Sequence, residues 1–193
     1  MSNPEHIYQN VVDLSIDATG TVNIANHNGS STGLKLGGEL VTATAAGINR
    51  VCGGGLVNCT ASTLTVSSTT HDNKVVTLNR AAGIAVTLPA ATGSGAWYRF
   101  FIGTTITTNT TTIKVANSSD TMVGFMTIFQ DGGDTALFFE VGSTDDTITL
   151  DGSTKGGIKG DMIELIDVAT NLWYVNGIVS GTGVEVTNLS ATV

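Results

Sequence analysis

The chain has 193 residues, enough for one ordinary domain with an appendage or for two small domains, and either could bury a core without disulfides. Only 12% of residues are charged, against roughly 25% in an average soluble domain, while Thr numbers 31 and Gly 24. Such a surface is covered by Thr, Ser, Asn and Gly or lies against other subunits, and a formal net charge of -8 argues against nucleic acid as a partner.

Taken from the start, Met1 to His6 lacks the basic start and apolar stretch of a signal peptide. No apolar run reaches the roughly 20 residues needed to cross a bilayer. Synthesis in a cytoplasm, with no membrane partner, is the expectation. Residues up to Asn10, with Pro4, predict an extended arm that orders against a partner. Val11 to Asp17 and Thr21 to Ala25 read as short strands, and Asn26 to Thr32 as a loop containing the turn dipeptide Asn28-Gly29. Gly33 to Leu36 and Glu39 to Val41 form two more β segments around Gly37-Gly38. Thr42 to Val51 predicts one short helix, capped by Thr42 or Thr44, favoured by alanines and stopped by Gly53. Residues 1–58 thus read as an N-terminal arm with short strands and one short helix, and 59–193 as an all-β sandwich or barrel-like main domain.

The centre of that domain is Val75 to Phe101. Val75 to Leu78 and Ile84 to Leu88 alternate between faces, with Ala82-Gly83 as a tight reversal; Pro89 ends the second run, and Trp97 to Phe101 puts rings on both faces of a third. The expectation is a β-meander whose third strand is covered on both sides by core or by a neighbouring subunit. Further strands are expected at Thr63–Val66, Thr111–Val115, Met122–Phe129, Ala136–Val141, Thr147–Leu150, Met162–Val168 and Leu172–Val179. The last two form a hairpin through Ala169-Thr170-Asn171, which brings Trp173 to the aromatic residues of the third central strand.

Reactive chemistry is sparse. Cys52 and Cys59 flank a Gly-rich loop without the paired ligands of a zinc site, and read as free thiols or a loop disulfide. Gly152 to Gly157 has the composition of a phosphate loop but stands between strands, with no helix to present its N-terminus to an anion. Asp131, Asp134, Asp145, Asp146 and Asp151 crowd three neighbouring turns, as calcium ligands if the loops converge or as solvated turn carboxylates if not. His6, His27 and His71 stand apart, with no nucleophile motif near them. No catalytic, metal or cofactor-binding residue is assigned, and no enzymatic activity is expected.

Two stretches carry a resemblance. Residues 34–51, L-K-L-G-G-E-L-V-T-A-T-A-A-G-I-N-R-V, are similar to a G-x-L-V-T-A-T-A-A-E-[LI]-N segment recurrent in phage head and fibre proteins, with Gly47 where Glu is usual. Val75 to Gly95 and Gly157 to Leu165 resemble tailed-bacteriophage capsid decoration, or cement, proteins. The resemblance implies a non-enzymatic homotrimer on the outer face of an icosahedral virion shell, at three-fold and local three-fold points, with an arm gripping the major capsid protein. The alternative it leaves is a receptor- or glycan-binding adhesin domain of a tail or head fibre.

Overall fold

Alternating apolar and polar residues make strands the dominant element among the described residues. The computed structural model describes residues 55–130 and 135–193; before them it describes 28, 30–31 and 33–43, and the backbone of 14–16 and 22–24. Two units divide between Cys52 and Gly53. In the first, β1 (Leu14–Ile16) pairs antiparallel with β2 (Val22–Ile24), and β3 (Lys35–Leu36) with β4 (Glu39–Leu40). Gly37 and Gly38, at φ of 62° and 91°, make the β3–β4 turn, a conformation that side chains with a Cβ resist. The arm up to Asn10, and the expected helix from residue 44 onward, lie outside the described residues.

The second unit contains β5 (Leu56–Cys59), β6 (Thr63–Thr65), a single helical turn α1 (Ser68–His71), β7 (Lys74–Leu78), β8 (Ala85–Thr87), β9 (Trp97–Ile102) and β10 (Thr111–Lys114). It continues with β11 (Thr121–Gln130), β12 (Ala136–Glu140), β13 (Thr147–Leu150), β14 (Met162–Ala169), β15 (Leu172–Gly181) and β16 (Leu189–Ser190). Residues 56–58, read from sequence as the end of the arm, are in β5, which pairs with β7. The strands form a seven-stranded sheet in the order β12-β11-β15-β14-β9-β7-β5 and a five-stranded sheet in the order β16-β13-β10-β8-β6. The all-β, sandwich-like class read from the sequence is therefore the observed one.

The meander is not. From β5 to β11 the chain changes sheet at every strand, so β7 lies parallel to β5 and β9 parallel to β7, while β8 lies parallel to β6 and β10 parallel to β8. The Ala82-Gly83 reversal does exist: the Gly83 N–H donates to the Arg80 carbonyl over 3.2 Å. It carries the chain across to the other layer, however, instead of back along the same one. Gly83 has φ 74°, and a Cβ there would overlap the Thr110 carbonyl oxygen, so this corner is closed to other residues.

The expected C-terminal hairpin is present, with Asn171 at φ 62° in its turn and a bulge between Asp167 and Ala169. It occupies the middle of the larger sheet. β14 pairs antiparallel with β9, and β15 pairs parallel with β11, so the hairpin joins β5-β7-β9 on one side to β11-β12 on the other. The inward residues of both sheets merge into one core, with Tyr98, Phe100, Ile113, Met126, Ile148 and Trp173 fully buried. Each contributes about 1.5–3 kcal/mol by leaving water. Tyr98 and Trp173 meet at 5.8 Å between ring centroids, the contact expected from sequence.

Candidate interaction surface

Because side chains alternate across a strand, burying Tyr98 and Phe100 turns Trp97, Arg99 and Phe101 outward. Register then fixes their neighbours across the larger sheet. One row runs Phe138, Thr127, Ile178, Met162, Phe101; the next runs Glu140, Phe125, Asn176, Glu164, Arg99; a third runs Val123, Tyr174, Ile166, Trp97. At the β12 end the face is apolar and open. Phe138 is 74% exposed, Phe125 54% and Ile178 55%, with Phe129, Val123 and Met162 also exposed. Soluble monomers rarely leave so many adjacent apolar side chains uncovered.

Toward β9 the same face becomes polar. Arg99 donates through Nε and one terminal nitrogen to Glu164 Oε2, at 3.2 and 2.6 Å, and its guanidinium lies 5.1 Å from the centre of the Trp97 ring. This pair, Asn176, Gly160, Met162 and Ile178 line a shallow depression of about 380 Å³. Glu164 and Arg99 neutralise each other on the spot, so covering them costs less than covering either alone.

Of the acidic turn residues that are described, Asp145 and Asp151 are partly exposed turn carboxylates and Asp146 is not. Asp146 is buried and accepts the N–H groups of Thr192 and Val193 and the hydroxyl of Thr147, pinning the C-terminus. Asp145 accepts the Gly142 N–H at 2.7 Å, and Asp151 those of Ser153 and Lys155 at 2.8 and 3.0 Å. Within the Gly152–Gly157 loop the amides of Ser153 and Lys155 are thus turned on Asp151, that of Gly157 on Asp161 and that of Gly152 on the Gly156 carbonyl, all acceptors of the chain itself. Asp131 and Asp134 lie outside the described residues, and among the described residues no three His, Cys, Asp or Glu converge as metal ligands. His6, His27 and Cys52 also lie outside them. Cys59 is a buried free thiol in β5. His71 is buried, with Nδ1 accepting the Ser67 N–H at 3.0 Å. Burial, reinforced by Lys74, holds its pKa below the ordinary histidine value despite an opposing backbone bond to Ser67.

Sequence reasoning missed the buried carboxylates that close the corners. Asp167 accepts N–H bonds from Thr92, Gly93 and Ser94 and hydroxyl bonds from Thr92 and Ser94. Its burial acts to raise its pKa, but these five donors, led by the Ser94 hydroxyl, hold it below the usual carboxylate range. Asp161 accepts from Gly157, Ile158 and Ser180, yet here burial wins and its pKa is raised. Asp120 receives the Ala91 N–H and Asp72 that of Trp97. A signal for Asp167 existed: it follows Ile163 and Leu165 at period two, on the core-facing phase of β14.

Comparison with protein-family models, with curated proteins and with solved structures returned no match.

Proposed function

We propose that this chain is a non-enzymatic structural protein of a tailed-phage virion, a homotrimeric decoration protein that binds the outer face of the capsid and stabilises the shell. The observation that carries this reading is the exposed apolar face at β11, β12 and β15, a surface suited to protein contact over an area and not to chemistry at a point. The likeness of residues 34–51 to a recurrent phage segment supports the same reading. So does the use of Asp167 and Asp146 to hold corners together, since each accepts backbone N–H groups and has its pKa held below the usual carboxylate range. In this reading the N-terminal unit contacts the major capsid protein, and three such units on one body multiply modest contacts into firm attachment.

Mixing the purified protein with expanded shells that lack it tests the proposal directly. Saturable binding is expected, together with a higher dissociation temperature of the shell. No binding to shells, with measurable binding to host cells, would replace it with the adhesin reading. That second reading has one observation in its favour: the depression at Arg99, Glu164 and Asn176, beside Trp97, offers hydrogen-bonding groups next to a ring as a sugar requires. Deletion of residues 1–40 should leave a folded body that no longer attaches to shells; undiminished attachment would place the contact on the body.

A further inference from the structure

We infer that the outer face of the seven-stranded sheet, around Phe125, Phe138 and Ile178, is where one copy of this chain meets the next. The inference rests on the trimer proposed above and assigns its contact. Six large apolar side chains stand together on β11, β12, β15 and β14: Val123, Phe125, Phe129, Phe138, Met162 and Ile178. Side chains of this size, about half uncovered, expose on the order of 500 Å² of apolar surface before the intervening Thr, Asn and Tyr174 are counted. That approaches the roughly 800 Å² per partner of a stable protein interface, and is near the upper limit for a patch on a monomer.

Charge points to the same occupant. Copies of a chain with formal charge -8 repel each other, and close approach needs a face that carries little of that charge. Among the residues of the three outward rows only Glu140, Glu164 and Arg99 are charged, and the last two are paired. A surface made of Phe, Ile, Val and Met also needs no complementary partner charge, so it can meet its own kind. Timing favours a second copy over the shell: the patch is exposed from the moment the chain folds, before any shell site is reached. Closure around a three-fold axis covers it equally on every subunit.

The test compares full-length wild-type protein with the double variant Phe125→Glu/Ile178→Glu, the milder Phe125→Ser/Ile178→Ser and the opposite-face control Thr112→Glu. Sedimentation equilibrium reads the mass, circular dichroism the fold, and shell binding is scored separately. Wild type and Thr112→Glu are expected near three times 19.8 kDa, and both double variants as folded species whose association is weakened on the order of 100-fold. A trimer that persists in the folded serine variant overturns this assignment while leaving the trimer intact. A monomeric wild type overturns it as well. A wild-type trimer that dissociates on substitution but ignores shells supports the assignment and sinks the decoration reading alone.

Discussion

The outward residues of the five-stranded sheet include Thr63, Thr65, Thr87, Thr112 and Thr149, with Ala85 and Lys114 among them, whereas those of the larger sheet run to Phe, Ile, Val and Met. Both faces are built on strands that fill the same core, and both are poor in charge. Threonine satisfies the demand for a residue of high strand propensity and still offers water a hydroxyl on every other position. Phenylalanine meets the first need and refuses the second. The difference shows that strand formation is indifferent to which solution is taken outside, so folding alone does not account for Phe on one face only.

Breaking the shared interior should erase the distinction. Trp173→Ala removes a fully buried ring between the sheets and is expected to cost about 3–5 kcal/mol, read as a lowered urea midpoint with both sheets melting together. Separate melting of the two layers would show that their cores are independent. Next in size is Asp167→Ala, which strands three backbone N–H groups at the β14 end of the larger sheet and should cost about 2–4 kcal/mol. A loss below about 0.5 kcal/mol would mean that water takes over the carboxylate's role.

Acid should act on both sheets through their carboxylates. The folded pKa values of Asp167 and Asp146 lie below the ordinary value, so the unfolded chain takes up the protons first; the stability they give is complete above the ordinary carboxylate range and is lost as pH falls through it and below. Asp161 opposes them. Its folded pKa is raised, so the native state binds the proton first, and stability rises as pH falls from its folded value toward the ordinary one. Urea midpoints between neutral pH and pH 3 are expected to fall for wild type, and to fall less steeply for Asp167→Asn. His71 adds a smaller decline that begins near pH ~6.5, because only the unfolded chain readily accepts its proton there; His71→Gln should remove that decline.

The smallest effects on folding sharpen the comparison most. In protein kept dilute enough to be monomeric, Phe138→Ser and Thr112→Val should each change unfolding free energy by no more than about 0.5 kcal/mol, since neither side chain fills the core. Light scattering on concentration should then separate them: the Phe138 substitution lowers self-association, and the Thr112 substitution leaves it unchanged or raises it.

Period-two alternation made most strands of the body readable, and the C-terminal hairpin read from them brought Trp173 to the aromatic residues of the third central strand, where it meets Tyr98. Alternation did not reveal which strands pair. Val75–Leu78 followed by Ala85–Thr87 has the pattern of a hairpin and also that of a chain crossing between layers, because both arrangements bury alternate residues. Gly83 announces a sharp turn and carries no information about where the chain goes after it. The buried carboxylates escaped for a related reason: Asp146 in a turn has the local pattern of a solvated residue, and only the three-dimensional convergence of Thr192 and Val193 on Asp146, or of Thr92 to Ser94 on Asp167, shows what each holds. Likewise, exposure of Phe125 and Phe138 depends on whether a further layer covers β11 and β12, which no local pattern encodes.

The position of the β14–β15 hairpin also sets the order in which this protein can be made. On the ribosome, β5 to β12 emerge before the strands that join them: Trp97 must wait for Ile166, and Thr121 for Leu172. Pairings at such sequence distance close large loops before they gain contacts, and they place the chain among slow folders of high contact order. Until the hairpin arrives, β9 and β11 each have an unpaired edge open to other nascent chains. A chaperone that shields those edges, or slow translation of the β14–β15 segment, would therefore govern the yield of native protein more than any single contact in the finished body.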